Sequence, residues 1–282
     1  MIVFKNATAL TQYIKSLKPD KTIGFVPTMG ALHQGHLSLI EASKDQCDVT
    51  VCSIFVNPTQ FNDPKDYEKY PVTIEQDILL LTQQGTDILF LPSSNEIYPD
   101  GTTSLPHFEL GELENVLEGK YRPNHFQGVC QVMNRLLDIV QPDILFLGKK
   151  DYQQCMVISK LIELNQLPIK VSIQSTLREN DGLAMSSRNT RLSVEGRKKA
   201  VALFRTLLYI KEQLFKEDSE SLIEEANGKL LAAGFEKVDY IVIADAKTLK
   251  PLDVIDESTE AVVLTAAYLE GVRLIDNMLL SA

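Results

Sequence analysis

Two histidines, His33 and His36, stand three residues apart around Gly35 in the run Pro27-Thr-Met29-Gly30-Ala31-Leu32-His33-Gln34-Gly35-His36. Residues at that spacing on one helical turn share a side, so both imidazoles would face the same way. A helix amino terminus at this point adds free backbone N–H groups and the positive end of the dipole. The combination suits an anion, a phosphate above all. A second set comes much later. Lys150, Asp151 and Gln154 stand at i, i+1 and i+4, so Lys150 and Gln154 share a helical face. The third set is Met185-Ser186-Ser187-Arg188, in which two hydroxyls precede a guanidinium, donors able to clamp phosphate oxygens. Each set also has a plainer use: glycines punctuate packed turns, a lysine past a strand is a solvated charge, and serines cap helices.

The elements that must carry these residues follow from hydrophobic pattern. Ile23 to Val26 is an apolar run that ends at Pro27 and Gly30 and passes into Leu37 to Ile40, which reads as strand, turn, helix. Residues 7 to 18 form an amphipathic helix before it. Residues 49 to 56 predict a second buried strand that ends in the polar loop 57 to 64. Further along come a helix over 74–84, a strand over 87–91, and a long connection over 93–111 whose Ser93 to Ile97 could cover a site. A helix over 129–140, a strand over 143–147, a helix over 152–164 and a strand over 169–173 complete this half. Strands alternate with helices at spacings that suit parallel βαβ units, so the fold class is α/β: a Rossmann-like, doubly wound parallel sheet. Ligands of such sheets lie beyond the carboxyl ends of the strands, where the histidine turn and Lys150 fall.

The rhythm then changes. Residues 178 to 191 predict a hinge, and 192 to 282 a smaller α+β domain with helices over 194–216 and 219–233 and strands over 239–243, 261–268 and 271–276. The last two strands flank Leu269-Glu270-Gly271 and should pair antiparallel. The expected division is thus 1–177, a nucleotide-binding domain; 178–191, a hinge and phosphate-binding loop; and 192–282, a lid.

A chain of 282 residues with 44% hydrophobic and 23% charged content has the composition of a globular protein. Its net charge of −10 argues against a nucleic-acid partner and requires any anion site to be built locally. Neither a membrane span nor a signal peptide is read from the sequence, so the expected location is cytoplasmic. Cys47, Cys52, Cys130 and Cys155 show no C-x-x-C spacing and sit among apolar residues, as buried free thiols do.

The H-x-G-H form of His33-Gln34-Gly35-His36 is that of the adenylate-forming nucleotidyltransferase superfamily. With Ser53-Ile-Phe-Val-Asn-Pro-Thr-Gln-Phe61, Arg122-Pro-Asn-His-Phe-Gln-Gly-Val129, Gly148-Lys-Lys-Asp-Tyr-Gln-Gln154 and Asp181-Gly-Leu-Ala-Met-Ser-Ser-Arg-Asn189, the chain closely resembles the pantoate–β-alanine ligase family. The resemblance implies ATP-dependent condensation of (R)-pantoate with β-alanine through a pantoyl adenylate, with Mg²⁺ and a homodimeric assembly. It implies an ATP site at Met29, Gly30, Ala31, Leu32, His33, Gln34, Gly35 and His36, together with Gly148, Lys149, Lys150, Asp151, Leu177, Met185, Ser186, Ser187 and Arg188. It makes His36 the principal catalytic residue, with His33 and Lys150 beside it, and gives pantoate to Gln60 and Gln154 and β-alanine to Gln60. Asp77 best matches the family's acidic residue on the magnesium side. Two positions depart from the pattern: Lys149 where the family often has an acidic residue, and Val72 where it often has arginine. The nearest rival is another H-x-G-H nucleotidyltransferase acting on a phosphorylated acceptor. Two others are a non-catalytic nucleotide-binding module and a zinc hydrolase that would have to recruit distant His107, His125 or a carboxylate as its third ligand.

Overall fold

Short runs of β-branched and aromatic residues that do not alternate with polar ones can be stable only as strands covered on both faces. Ile23-Gly-Phe-Val26 and Val49-Thr-Val-Cys52 are of this kind, and every residue of both runs is buried. The computed structural model describes residues 1–18, 20–214, 218–252, 255 and 258–280. Its internal contacts divide the chain into two units: Met1–Lys149 with Gln153–Ser175, and Lys150–Tyr152 with Thr176–Ala282.

In the first unit the elements run β1 (Ile2–Phe4), α1 (Ala7–Leu17), β2 (Ile23–Thr28), α2 (Gln34–Gln46), β3 (Val49–Ile54), α3 (Pro64–Glu68), α4 (Ile74–Gln83) and β4 (Ile88–Phe90). They continue with α5 (Ser94–Ile97), α6 (Glu118–Tyr121), α7 (His125–Val140), β5 (Ile144–Gly148), α8 (Tyr152–Leu164) and β6 (Lys170–Gln174). The six strands are all parallel in the order β1-β4-β3-β2-β5-β6. The expected doubly wound sheet is therefore present. Side chains alternate across it: Phe25 and Leu145 join Leu10, Ile14 and Phe126 on one face, and Val26 and Phe146 join Leu39, Ile40 and Leu81 on the other.

The second unit holds α9 (Val194–Ala200), α10 (Ala202–Gln213), α11 (Ser219–Ala232) and an antiparallel sheet of β7 (Lys237–Asp245), β8 (Ala261–Leu269) and β9 (Val272–Leu279). Leu203, Leu207, Ile210, Leu222 and Leu230 pack on Ile241, Ile243, Val263 and Leu274 to give this unit its own core.

Several boundaries differ from expectation. β1 spans only three residues, too few to show a period. α7 begins at His125 and not at Val129, because Asn124 adopts a left-handed φ of 64° just before it. The helix expected over 194–216 is interrupted at Val201, where the backbone stays helical at φ −59° and ψ −23° but the ladder breaks; its expected end at 216 lies outside the described residues.

None of the four cysteines is held in a disulfide. Burial pushes Cys52 and Cys130 up to about 12 and half-buried Cys47 to about 11. Since the thiolate is the reactive form, a disulfide reagent at pH 8 should label none of them rapidly in the folded protein and all of them after denaturation. Fast labelling of the native chain would contradict this packing.

Candidate active site

In the first unit β2 lies between β3 and β5, so the sheet order reverses direction at β2. That switch point is where an open α/β sheet receives its ligand. The carboxyl end of β2 leads to the histidine turn and that of β5 ends at Gly148.

His33 is not on the first helical turn, as the spacing suggested, but is the N-cap of α2, with φ −137° and ψ 174°. Its Nδ1 accepts from the Gly35 N–H at 3.1 Å, and the Nδ1 of His36 accepts from the His33 N–H at 3.3 Å. The pair is thus a capping box made of imidazoles. The rings still come together on one side, with centroids 4.1 Å apart and planes 38° apart. A ring nitrogen that accepts from an amide carries no proton, so each neutral imidazole holds its hydrogen on Nε2 and donates there. Two such donors at the start of a helix are suited to an anion. With Nδ1 accepting and the proton on Nε2, neither of these two rings offers a lone pair to a zinc ion. His125, on α7, donates Nδ1–H to the Gln60 carbonyl at 2.7 Å.

The turn before α2 is tightly folded. Gly30 has φ 82° and Ala31 has φ 50°, consecutive residues in the left-handed region. Thr28 Oγ1 accepts from the Gly30 N–H at 3.2 Å, and the carboxylate of Asp77, on α4, accepts from Ala31 N–H at 3.0 Å and Leu32 N–H at 2.8 Å.

Gln60 lies in a 3-10 turn, Pro58–Gln60, beyond β3. The buried Asn57 donates from Nδ2 to Gln60 Oε1 at 3.1 Å and to the Gly128 carbonyl at 3.1 Å, and its Oδ1 accepts from the Tyr98 hydroxyl at 2.8 Å. With its oxygen occupied, the Gln60 amide presents its NH₂ group, which lies 3.2 Å from Met29 Sδ in the histidine turn. Asn57 and Tyr98 were not singled out in the sequence; a polar loop and a distant tyrosine carry no spacing that relates them. Tyr98, directly after α5, brings the 93–111 connection to this site. α7 approaches the Gln60 turn closely at Gly128, where a Cβ would stand 2.5 Å from the Thr59 carbonyl carbon and 2.8 Å from Gln60 Cα.

The adjacent glutamines of α8 divide. Gln153 is buried, donates to the carbonyls of Leu113 and Val116 at 2.8 and 2.9 Å, and accepts from the Glu118 N–H at 3.0 Å. Gln154 is half-buried, and its amide has no hydrogen-bond partner among the described residues, which leaves it available to a ligand.

The second unit carries the other candidates. Lys150 Nζ lies 3.6 Å from Asp151 Oδ1, and its backbone carbonyl accepts from Asn277 Nδ2 on β9 at 2.8 Å. The Tyr152 hydroxyl donates to the Ala246 carbonyl at 2.8 Å. Met185 N–H donates to the Leu177 carbonyl at 3.1 Å, so these expected nucleotide contacts are neighbours. Ser186 Oγ accepts from the Arg188 N–H at 3.2 Å and caps the 3-10 turn Ser187–Arg191, the plainer of the two uses weighed for it. The loop is anchored by Arg178, whose guanidinium makes bonds of 2.6 and 3.0 Å to buried Asp276 and lies 4.5 Å from the centre of the Phe204 ring. Burial pushes the Asp276 carboxyl upward, and Arg178 draws it back. Arg178→Met leaves that carboxylate buried without its partner and should cost about 3 kcal/mol in urea unfolding. A loss under a tenth of that would show that the pair does not anchor the loop.

A family model described as pantoate-beta-alanine ligase matches residues 2–279. A pantothenate synthetase of Aliivibrio salmonicida is 43% identical over 281 residues, 99% of this chain and 93% of that one. A crystal structure of pantothenate synthetase from Thermus thermophilus superimposes with a TM-score of 0.92 at 38% identity, with both chains covered completely. Another, a pantoate-beta-alanine ligase from Francisella tularensis complexed with beta-gamma ATP and beta-alanine, has a TM-score of 0.83 at 39% identity and covers 99% of this chain and 97% of its own. A single family model spans both units and the solved relatives share the whole fold, so the chain belongs to the pantoate-beta-alanine ligase family.

Proposed function

We propose that the protein condenses (R)-pantoate with β-alanine in two steps, forming pantoyl adenylate from ATP and releasing pyrophosphate, then forming pantothenate and releasing AMP. The observation that carries the reading is the capped pair of histidines, with Nε2 protons directed from a helix start, beside a glutamine amide whose polarity is fixed. Membership of the family supports it, as does the Francisella relative's complex with beta-gamma ATP and beta-alanine.

In the first step a pantoate carboxylate oxygen bonds to the α-phosphorus as the bond to pyrophosphate breaks, and the leaving group keeps the electron pair. A negative nucleophile meets a negative centre, so the site must neutralise and align more than it must supply a base. His36 and His33 donate to phosphate oxygens, and Lys150, Ser186, Ser187 and Arg188 serve the same charge. Met29 to Leu32, Gln34, Gly35, Gly148, Lys149, Asp151, Leu177 and Met185 complete the nucleotide site. Gln60 holds pantoate through its NH₂ group and Gln154 through an amide that can both donate and accept, and Gln60 also meets β-alanine. In the second step the β-alanine nitrogen bonds to the acyl carbon, the bond from that carbon to the phosphate oxygen breaks with AMP keeping the electron pair, and the proton shed by the nitrogen passes to solvent.

Mg²⁺ belongs to this reading as the companion of ATP, neutralising phosphate charge when bound. Among the described residues no three His, Cys, Asp or Glu side chains gather around one point. The family resemblance further suggests a homodimer in the cytoplasm, which sedimentation and fractionation test. No helix among the described residues is long and apolar enough to cross a membrane.

The test is release of AMP and pyrophosphate from ATP and Mg²⁺ with each substrate alone and with both. Sustained AMP release only when (R)-pantoate and β-alanine are both present is expected. Turnover with a phosphorylated acceptor in their place would transfer the chain to another nucleotidyl transfer.

A further inference from the structure

The turn that leads into the histidine pair is held in place from a different element. Gly30 and Ala31 lie consecutively at φ 82° and 50°, and for an alanine the left-handed region is unfavourable without compensation. Both amides that follow this bend, those of Ala31 and Leu32, donate to the carboxylate of Asp77 at 3.0 and 2.8 Å, one to each oxygen. Thr73 Oγ1 adds a bond of 3.2 Å to the same carboxylate. Asp77 is only 1% exposed, and a Cβ on Gly30 would stand 3.0 Å from its Oδ2, so the turn is wrapped closely around the carboxylate.

We infer that Asp77 is a positioning residue for the nucleotide site, which it serves by fixing the Gly30–Leu32 turn through its carboxylate. The inference rests on the ATP site proposed above and gives Asp77 a task separate from the metal role implied by family resemblance. The charge is what suits it to that task. An ionised carboxylate has two acceptor oxygens for two convergent N–H groups, which no neutral side chain of the same size provides. Asparagine has one oxygen, and its NH₂ would face one of the two amide hydrogens directly. The bend would then relax away from its left-handed residues, and the step from Met29 to His33 would shift with it.

Asp77→Asn conserves volume and is the test. ATP binding is measured by calorimetry twice: with Mg²⁺, and with EDTA and no divalent cation. If Asp77 shapes the turn, the variant loses about tenfold or more in ATP affinity under both conditions, the scale of a hydrogen bond to a charged group. In steady state the KM for ATP rises while that for pantoate stays within twofold. A loss confined to the Mg²⁺ series would mean that Asp77 acts through the cation, and unchanged affinity in both would mean that the turn holds without it; either overturns the inference. Failure of the unsubstituted protein to bind ATP would overturn the nucleotide site itself, a distinguishable result. Should Asp77→Asn not fold, Thr73→Val removes only the longest of the three bonds and reads the same quantity. A two- to fivefold loss without Mg²⁺ supports the inference, and no loss overturns it.

Discussion

His36→Ala should lower kcat by about 10² or more, the scale on which a single oxyanion-type donor contributes. The expectation follows from the ring's two nitrogens. Nδ1 accepts the His33 N–H, which fixes the ring's orientation, and the proton is thereby placed on Nε2, where it can donate to phosphate as charge builds on the leaving pyrophosphate. Alanine removes both functions, so part of its effect would come from loss of half the capping box, about 1 kcal/mol of stability. His36→Asn separates them. Its side-chain oxygen can stand near the Nδ1 position and accept the His33 N–H, but nothing replaces the Nε2 proton. The asparagine variant should therefore melt close to the unsubstituted protein and still lose about 10² in kcat. A loss of tenfold or less in either variant would remove His36 from the central role.

Gly128→Ala should impair pantoate with nearly as large an effect, although residue 128 touches no substrate in this account. The added methyl would meet the peptide between Thr59 and Gln60, with 2.5 Å to the Thr59 carbonyl carbon and 2.8 Å to Gln60 Cα. These are backbone atoms and cannot rotate away. The same stretch is pinned from the other side, because Asn57 Nδ2 bonds both the Gly128 carbonyl and Gln60 Oε1. Either α7 or the 3-10 turn must move, with a cost of about 1–3 kcal/mol for overpacking. A displacement near 1 Å can reduce turnover by about 10² when it moves a group that orients a substrate. The expected result is a fall of that size in kcat/KM for pantoate, with ATP binding retained. A pantoate KM within threefold of the unsubstituted value would show that the helix and the turn are not coupled as described.

Five of the six strands in the first unit could be read from the chain because each is a short apolar run closed by a polar loop, and so could its long helices; the three-residue β1 could not. That the histidine turn stands at a strand's carboxyl end followed from that reading; the sheet order β1-β4-β3-β2-β5-β6, and with it the switch at β2, did not. What stayed hidden depended on contacts distant in sequence. Asp77 is 46 residues from Ala31, and the Asn277 bond that holds the Lys150 carbonyl spans 127 residues. The carboxyl-terminal third showed no cluster of catalytic types, yet Asn277 and Asp276 on its last strand fix the segments that carry Lys150 and the Ser186 loop. Helix phase decided another case: of two adjacent glutamines on α8, Gln153 is fully bonded inside, while the Gln154 amide has no hydrogen-bond partner among the described residues; Lys150, expected on the same helical face as Gln154, lies instead in the 3-10 turn Lys149–Asp151 ahead of α8. The N-cap role of His33 was missed for a local reason. An imidazole accepting through Nδ1 can replace the usual Ser, Thr, Asp or Asn at that position, and sequence preferences for caps do not lead one to look for it.

The central claim is a covalent one: the pantoate carboxylate takes the adenylyl group before β-alanine takes part. The most direct measurement is exchange of labelled pyrophosphate into ATP in the presence of Mg²⁺ and (R)-pantoate, with β-alanine left out. Exchange that depends on pantoate is the predicted result, because the first step is reversible and returns label to ATP only through pantoyl adenylate. Absence of exchange, in a preparation that makes AMP when both substrates are supplied, would contradict a free adenylate intermediate and point to a single concerted displacement.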